Sequence, residues 1–429
     1  MSRIFLSLLI SLLVSVQAFA DSGLKEKLEQ IKDLSRIEAL KSDHYAEKYL
    51  VRITQPLDHQ HPEKGSFTQR VIVCHVGYDR PTVLVTEGYG GDYALRPSYQ
   101  DELSKLLDAN VVFVEHRYFL ESTPSPLDWQ YLTAANGAGD LHHVTMDFKS
   151  IYHGKWISSG ISKGGQTTML YRAYYPNDVD FSVPYVGPLC RGVEDGRHQP
   201  FIEHKTGTKA GRAKVKAFQM EVLKRKAKML PLLKTFCDEK GYKFSISLPE
   251  VLDYCTLEFS FAFWQWGTPV ESIPNTKNSD DRSLFDYLVK VSGPDYWALD
   301  QPNSSFYVQA ARELGYYGYD TKPFRKYLTI KTAEGYLNRI MVPESARPVT
   351  FDPALYHKIY NYLKDNDPKM IFIYGANDPW SSVHAPIFKG KKNEHFFFQP
   401  NGSHRSRISN MPDNMKKQIM DLLHQWLEE

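Results

Sequence analysis

Six short apolar runs, most of them rich in β-branched or aromatic residues and ending near glycine or charge, constrain this chain more than any other feature. They are PTVLVTEGYGGD (81–92), ANVVFVEHRYF (109–119), KWISSG (155–160), VDFSVPYVGP (179–188), KMIFIYGAND (369–378) and EHFFFQPNGSH (394–404). A strand with one wet face alternates polar and apolar residues, whereas continuous apolar runs mark strands buried on both faces. Helical patterns at Tyr99–Leu107, Ala138–Tyr152 and Gly165–Tyr174 fall between several of them. That alternation predicts an α/β fold, a mostly parallel central sheet covered by helices on both sides. SFTQRVIVCHV (66–76) alternates and reads as one more strand, while the charged stretch 24–48 reads as a surface helix.

From Arg191 to Asn366 the alternation stops, and the chain becomes helix-dominated and aromatic. The expected organisation is a core in two parts, 21–190 and 367–429, with a helical cap inserted at 191–366. Ahead of these, Arg3, the apolar run Ile4–Val16 and Ala18-Phe19-Ala20 form a secretory signal cleaved after Ala20. That run is too short for a comfortable membrane span, so no stable membrane insertion is expected.

A formal net charge of +2 argues against a nucleic-acid partner, and the basic run Lys205–Lys228 has the spacing of a solvated helix face. The four cysteines, Cys74, Cys190, Cys237 and Cys255, match no zinc spacing; Cys237 and Cys255 share a region and form the natural pair if any do. His59/His61 and His142/His143 read as surface-loop residues, so neither a metal nor a cofactor is expected.

Gly160-Ile161-Ser162-Lys163-Gly164 lies between a buried run and a helical pattern, the setting of a nucleophile elbow. A serine hydroxyl needs a base, and the base needs an orienting carboxylate. Asp378 and His404 supply both, each following a later run, in the order Ser, Asp, His of α/β-hydrolases. Because side chains at the carboxyl ends of parallel strands converge, Ser162, Asp378 and His404 form the expected triad. The backbone N–H of Lys163 and that of Tyr89, in the glycine loop Glu87–Gly91, are the expected oxyanion donors. That loop lacks the features of a phosphate-binding loop.

The segments ITQPLDHQHPEKGSFTQR (53–70), VVFVEHRYFLESTP (111–124) and GISKGGQTTMLYRAYYPNDVDFSVPYVGP (160–188) resemble secreted bacterial tripeptidyl aminopeptidases. Those are serine peptidases of the α/β-hydrolase clan, related to prolyl carboxypeptidase and dipeptidyl peptidase II. The resemblance implies peptide substrates cut near a free N-terminus, with proline often preceding the cut bond. The chain departs from the carboxypeptidase relatives at Gln60, Lys163 and Tyr89-Gly90, which favours the tripeptidyl branch. An aminopeptidase must neutralise a buried ammonium. Glu115 and Glu121 are the expected anchors with Glu87 in reserve, and FSFAFWQWGTP (259–269), through Trp264 and Trp266, is the expected apolar wall. Two other readings stay open: an esterase, lipase or acyltransferase on the same fold, and a non-catalytic binding protein.

Overall fold

A computed structural model describes residues 23–299 and 301–429; the expected export signal lies outside them. Nine strands form one sheet: β1 (Leu34–Ala39), β2 (Glu47–Pro56), β3 (Ser66–His75), β4 (Thr82–Thr86), β5 (Asn110–Val114), β6 (Trp156–Ile161), β7 (Phe181–Tyr185), β8 (Met370–Gly375) and β9 (Glu394–Gln399). Their spatial order is β1-β2-β3-β5-β4-β6-β7-β8-β9. The first three strands and β5 pair antiparallel, and every pairing from β5 to β9 is parallel.

All residues of β4, β5, β7 and β8 are buried, as continuous apolar runs require. Their side chains still alternate between faces. Val83, Val85, Val111 and Phe113 pack with Leu103, Leu107, Ile419 and Leu423 from the helices Glu102–Leu107 and Asp413–Glu428. On the other face, Leu84, Val112 and Val114 meet Leu141, Val144 and Phe148 of the helix Ala134–Lys149. Burying each such side chain contributes about 1.5–3 kcal/mol, so the two-sided packing fixes the strand register.

The stretch 24–48 departs from expectation. Only Leu24–Glu29 is helical, and β1 follows as an edge strand with a mostly exposed face. Its charges and helix-forming residues hid it, yet charge is how an exposed edge avoids pairing with other chains.

Between β7 and β8 the chain is helical and builds a large aromatic cluster of its own, including Phe259, Tyr254, Trp297 and Tyr336. The helix Ala354–Asp365 does not join it. Leu355, Ile359 and Leu363 pack with Met370, Phe372 and Met169, so the layer covering the sheet resumes before residue 366. All four cysteines are buried free thiols, so Cys237 and Cys255 are not bridged. Among the described residues no helix is long and apolar enough to cross a membrane.

Candidate active site

The sheet changes direction at β4, with β5 on one side and β6 on the other, and the loops beyond the carboxyl ends there open into a crevice. Ser162 follows β6 directly and precedes the helix Lys163–Tyr174. Its backbone is left-handed, φ 61° and ψ −120°, a conformation a non-glycine residue holds only under constraint. Close packing supplies the constraint. A Cβ on Gly160 would lie 2.3 Å from the Gly164 carbonyl oxygen, and one on Gly88 would lie 2.6 Å from the Gly164 nitrogen. The Ser162 N–H donates to the Tyr185 carbonyl at 2.9 Å.

Asp378 and His404 follow β8 and β9 and are 0% and 4% exposed. His404 Nδ1 donates to Asp378 Oδ2 at 2.7 Å, while Asp378 Oδ1 accepts the Trp380 N–H at 3.1 Å. The carboxylate is thus held on two sides and fixes the imidazole. Among the described residues His404 Nε2 is buried with no hydrogen-bond partner, and His404 lines the same 610 Å³ cavity as Ser162. The His404 N–H donates to the carbonyl of Gln265 at 2.8 Å, at the end of the cap helix Leu248–Gln265. A second link joins Asn377 Oδ1 to the N–H of Gly207 at 2.9 Å.

The two expected oxyanion donors differ. Lys163 opens a helix, so its N–H has no partner within that helix. The Tyr89 N–H is already taken: it donates to Glu87 Oε1 at 3.1 Å, as does the Gly88 N–H at 3.0 Å. Tyr89 enters the site by its phenol, which engages the Ser162 side chain. The Lys163 side chain was not foreseen. Its ammonium is buried without a hydrogen bond among the described residues, 5.9 Å from the Tyr89 ring and 5.5 Å from that of Phe119. Burial pushes its pKa down to about 7, against the opposing pull of Glu87 and Glu313.

The expected ammonium anchors lie away from the cavity. Glu115 is fully buried and saturated: it pairs with Arg70 and accepts from the Gly91 N–H at 2.7 Å and the Ser122 hydroxyl at 2.8 Å. Arg70 belongs to β3, the antiparallel neighbour of β5, so the strand pairing itself turns Glu115 toward it. Glu121 is exposed and pairs with Arg52 and with Arg70. Glu87 does line the cavity, but three donors occupy it: the two N–H groups above and the Tyr93 hydroxyl at 2.5 Å.

Trp266 reaches the cavity, 48% exposed and edge-on to His404 at 5.8 Å, with Arg405 against its ring. Trp264 does not. It is 5% exposed, packs against Gly207, and lines a separate 440 Å³ cavity on the far side of the helix. Residues two apart on a helix point about 200° apart, so the two tryptophans cannot share one wall. The main aromatic wall comes instead from Tyr296, Phe306, Tyr316, Tyr317 and Trp380. Tyr316 and Tyr317 stack at 4.4 Å, and Trp380 meets Tyr317 at 5.3 Å. GYYGY (315–319) carried the compositional signal for this wall.

A further acid in the cavity comes from the cap. Glu258, on the cap helix, is 6% exposed and accepts the hydroxyls of Tyr317 at 3.0 Å and Tyr319 at 2.7 Å. Burial pushes its pKa up to about 7 despite those hydrogen bonds. Of the histidines expected in surface loops, His59 and His61 lie in the turn and loop after β2, and the other two do not. His142 and His143 lie on the helix Ala134–Lys149, His142 bound to Asp178 at 2.7 Å and His143 facing Asp33 and Asp147.

A mostly parallel sheet, a serine on a strained elbow and a histidine–aspartate pair at later strand ends define an α/β-hydrolase. The chain belongs to the PS-10 peptidase S37 family, whose model matches residues 19–427. It is a serine-type peptidase. It is 31% identical over 404 residues to the prolyl tri/tetrapeptidyl aminopeptidase of Streptomyces mobaraensis, covering 91% of this chain and 82% of that one. Solved structures similar to it include proline iminopeptidase of Mycobacterium smegmatis, with 12% identity, a TM-score of 0.41, and 88% of this chain and 98% of that one covered. VinJ is similar at 12% identity and a TM-score of 0.39, covering 92% and 99%.

Proposed function

We propose that this protein is an exported serine exopeptidase that releases short peptides, chiefly tripeptides, from free N-termini, with proline favoured before the cut bond. The observation that carries the reading is the His404–Asp378 pair, whose unpartnered Nε2 belongs to the cavity that Ser162 lines. His404 takes the Ser162 proton as Oγ attacks the peptide carbonyl, then gives it to the departing amine. Asp378 holds the tautomer and stabilises the imidazolium. The acyl-enzyme is hydrolysed by the same steps with water as nucleophile. The Lys163 N–H and the start of its helix stabilise the oxyanion. Trp380 and Tyr316 offer the flat apolar faces that a proline ring packs against, since proline brings no N–H to satisfy.

The named activity of the Streptomyces relative supports both the released length and the prolyl preference. The apolar run at residues 4–16, followed by Ala18-Phe19-Ala20, supports export. Digesting a mixed peptide library tests the reading. The expected products are tri- and tetrapeptides from free N-termini, enriched in C-terminal proline. Fragments of scattered length with no dominant N-terminal product overturn it.

A further inference from the structure

Glu258 is a buried acid that the serine chemistry does not use. Both phenol hydroxyls that reach it bind Oε2, and among the described residues Oε1 accepts no hydrogen bond and Glu258 has no ion pair. A buried carboxylate without a cation is costly, and the usual resolution is a cationic partner or a proton.

The helix phase shows where this carboxylate faces. Glu258, Ala262, Gln265 and Trp266 line the catalytic cavity, the i, i+4, i+7, i+8 spacing of one helix face. Leu257, Ser260 and Trp264 line the second cavity on the opposite face. The cleft is also polarised: Glu258 and Asp295 come from the cap, whereas Arg405 and Arg407 flank His404. A cation is drawn toward the cap side.

Distance along the helix sets a length. Gln265, whose carbonyl holds the His404 amide, is seven positions from Glu258 on this helix. Seven residues rise about 10 Å. Three residues of extended peptide span about 10–11 Å. We propose that Glu258 binds the substrate's α-ammonium through Oε1, so that the third peptide bond from the free N-terminus lies at Ser162. This rests on the exopeptidase reading and supplies its length selection. Of the other acids in the cavity, Glu87 is saturated by its own loop and Asp295 is exposed at the rim.

A pH dependence follows. The groups facing Glu258 are Tyr317 and Tyr319, then Tyr296, Tyr307, Tyr316 and Tyr336, with Cys255 on its own helix; burial keeps every one of them neutral. Glu258 itself takes up a proton below about 7. A peptide α-amino group loses its proton above about 8. Ion pairing is therefore strongest between the two.

The experiment compares kcat/KM for free and N-acetylated forms of one tetrapeptide amide across pH, with wild type, E258Q, E258D and D295N. Melting temperature and stoichiometric fluorophosphonate labelling report that each variant is folded. The ratio of free to acetylated is expected to peak between pH 7 and 8 in wild type. It is expected to fall about 30- to 1,000-fold in E258Q, mostly through KM, with the acid limb lost. E258D, which keeps the charge, should recover part of it. If E258Q does not fold, the wild-type acid limb and E258D still decide.

A wild type that demands a free amine, with E258Q unchanged or with D295N as the variant that loses the preference, overturns the anchor and leaves the exopeptidase reading standing. A wild type indifferent to acetylation overturns both. An acetylated peptide carrying an upstream lysine, cleaved in a Glu258-dependent way, would assign the site to a side-chain ammonium and overturn the N-terminal one.

Discussion

The sheet and the cap contribute to one cavity by different means. On the sheet, Ser162, Asp378 and His404 come from three segments, and each lies within five residues of the end of a parallel strand, so parallel pairing carries them to the same crevice. In the cap, Glu258, Ala262, Gln265 and Trp266 are neighbours in sequence, and what selects them is the rotation of one helix. Strand ends position chemistry through the backbone ladder. A docked helix positions recognition through its phase, and a change of two residues in register exchanges the cleft face for the face of Trp264.

The largest effect expected on this contrast is at Ser162, the proposed nucleophile. Ser162→Ala should lower kcat by about 10⁴- to 10⁶-fold while leaving the melting temperature near that of wild type. Substantial activity in the folded variant would break the sheet half of the comparison.

The two faces of the cap helix give the next test. Trp264→Ala removes a buried ring packed on Gly207 and should cost about 3–5 kcal/mol in urea unfolding. Trp266→Ala removes a half-exposed ring and should cost no more than about 1 kcal/mol, while altering the residues accepted around the cut bond. Equal losses of stability, or altered selectivity only in the Trp264 variant, would reverse the assignment of faces.

The smallest effect concerns proton linkage. Folded Glu258 keeps its proton up to about 7, whereas a glutamate in an unfolded chain loses it near 4.5. Between these values the folded protein binds more protons than the unfolded one, so this group makes stability fall as pH rises. Glu258→Gln removes that slope. Its stability relative to wild type should rise from pH 4.5 to 7 by at most about 3 kcal/mol and then level off. A flat difference across that window would mean the carboxylate is already ionised in the empty cleft.

Sequence exposed these regions unequally, for physical reasons. The convergence of Ser162, Asp378 and His404 was legible because a strand end is a local pattern and parallel pairing brings such ends together. Glu258 was hidden in LEFSFAFWQW, whose aromatic content drew attention to Trp264 and away from the i, i+7 pair of polar residues, Glu258 and Gln265. Helical phase, applied to that segment, would have separated its two faces. Glu115 misled because a carboxylate just past a strand can turn into the crevice or beneath it, and only the pairing of β3 with β5 brings Arg70 to decide. β1 was unreadable for a related reason: an edge strand borrows its order from β2, and its own charges favour helix.

The hydrogen bond from the His404 amide to the Gln265 carbonyl ties the loop after β9 to the end of the cap helix Leu248–Gln265. Asn377, one residue before Asp378, is fastened to the cap as well. Roof and floor therefore share their alignment: a substitution that displaces the end of that helix pulls on the loop of His404 too, so damage to the roof travels to the floor.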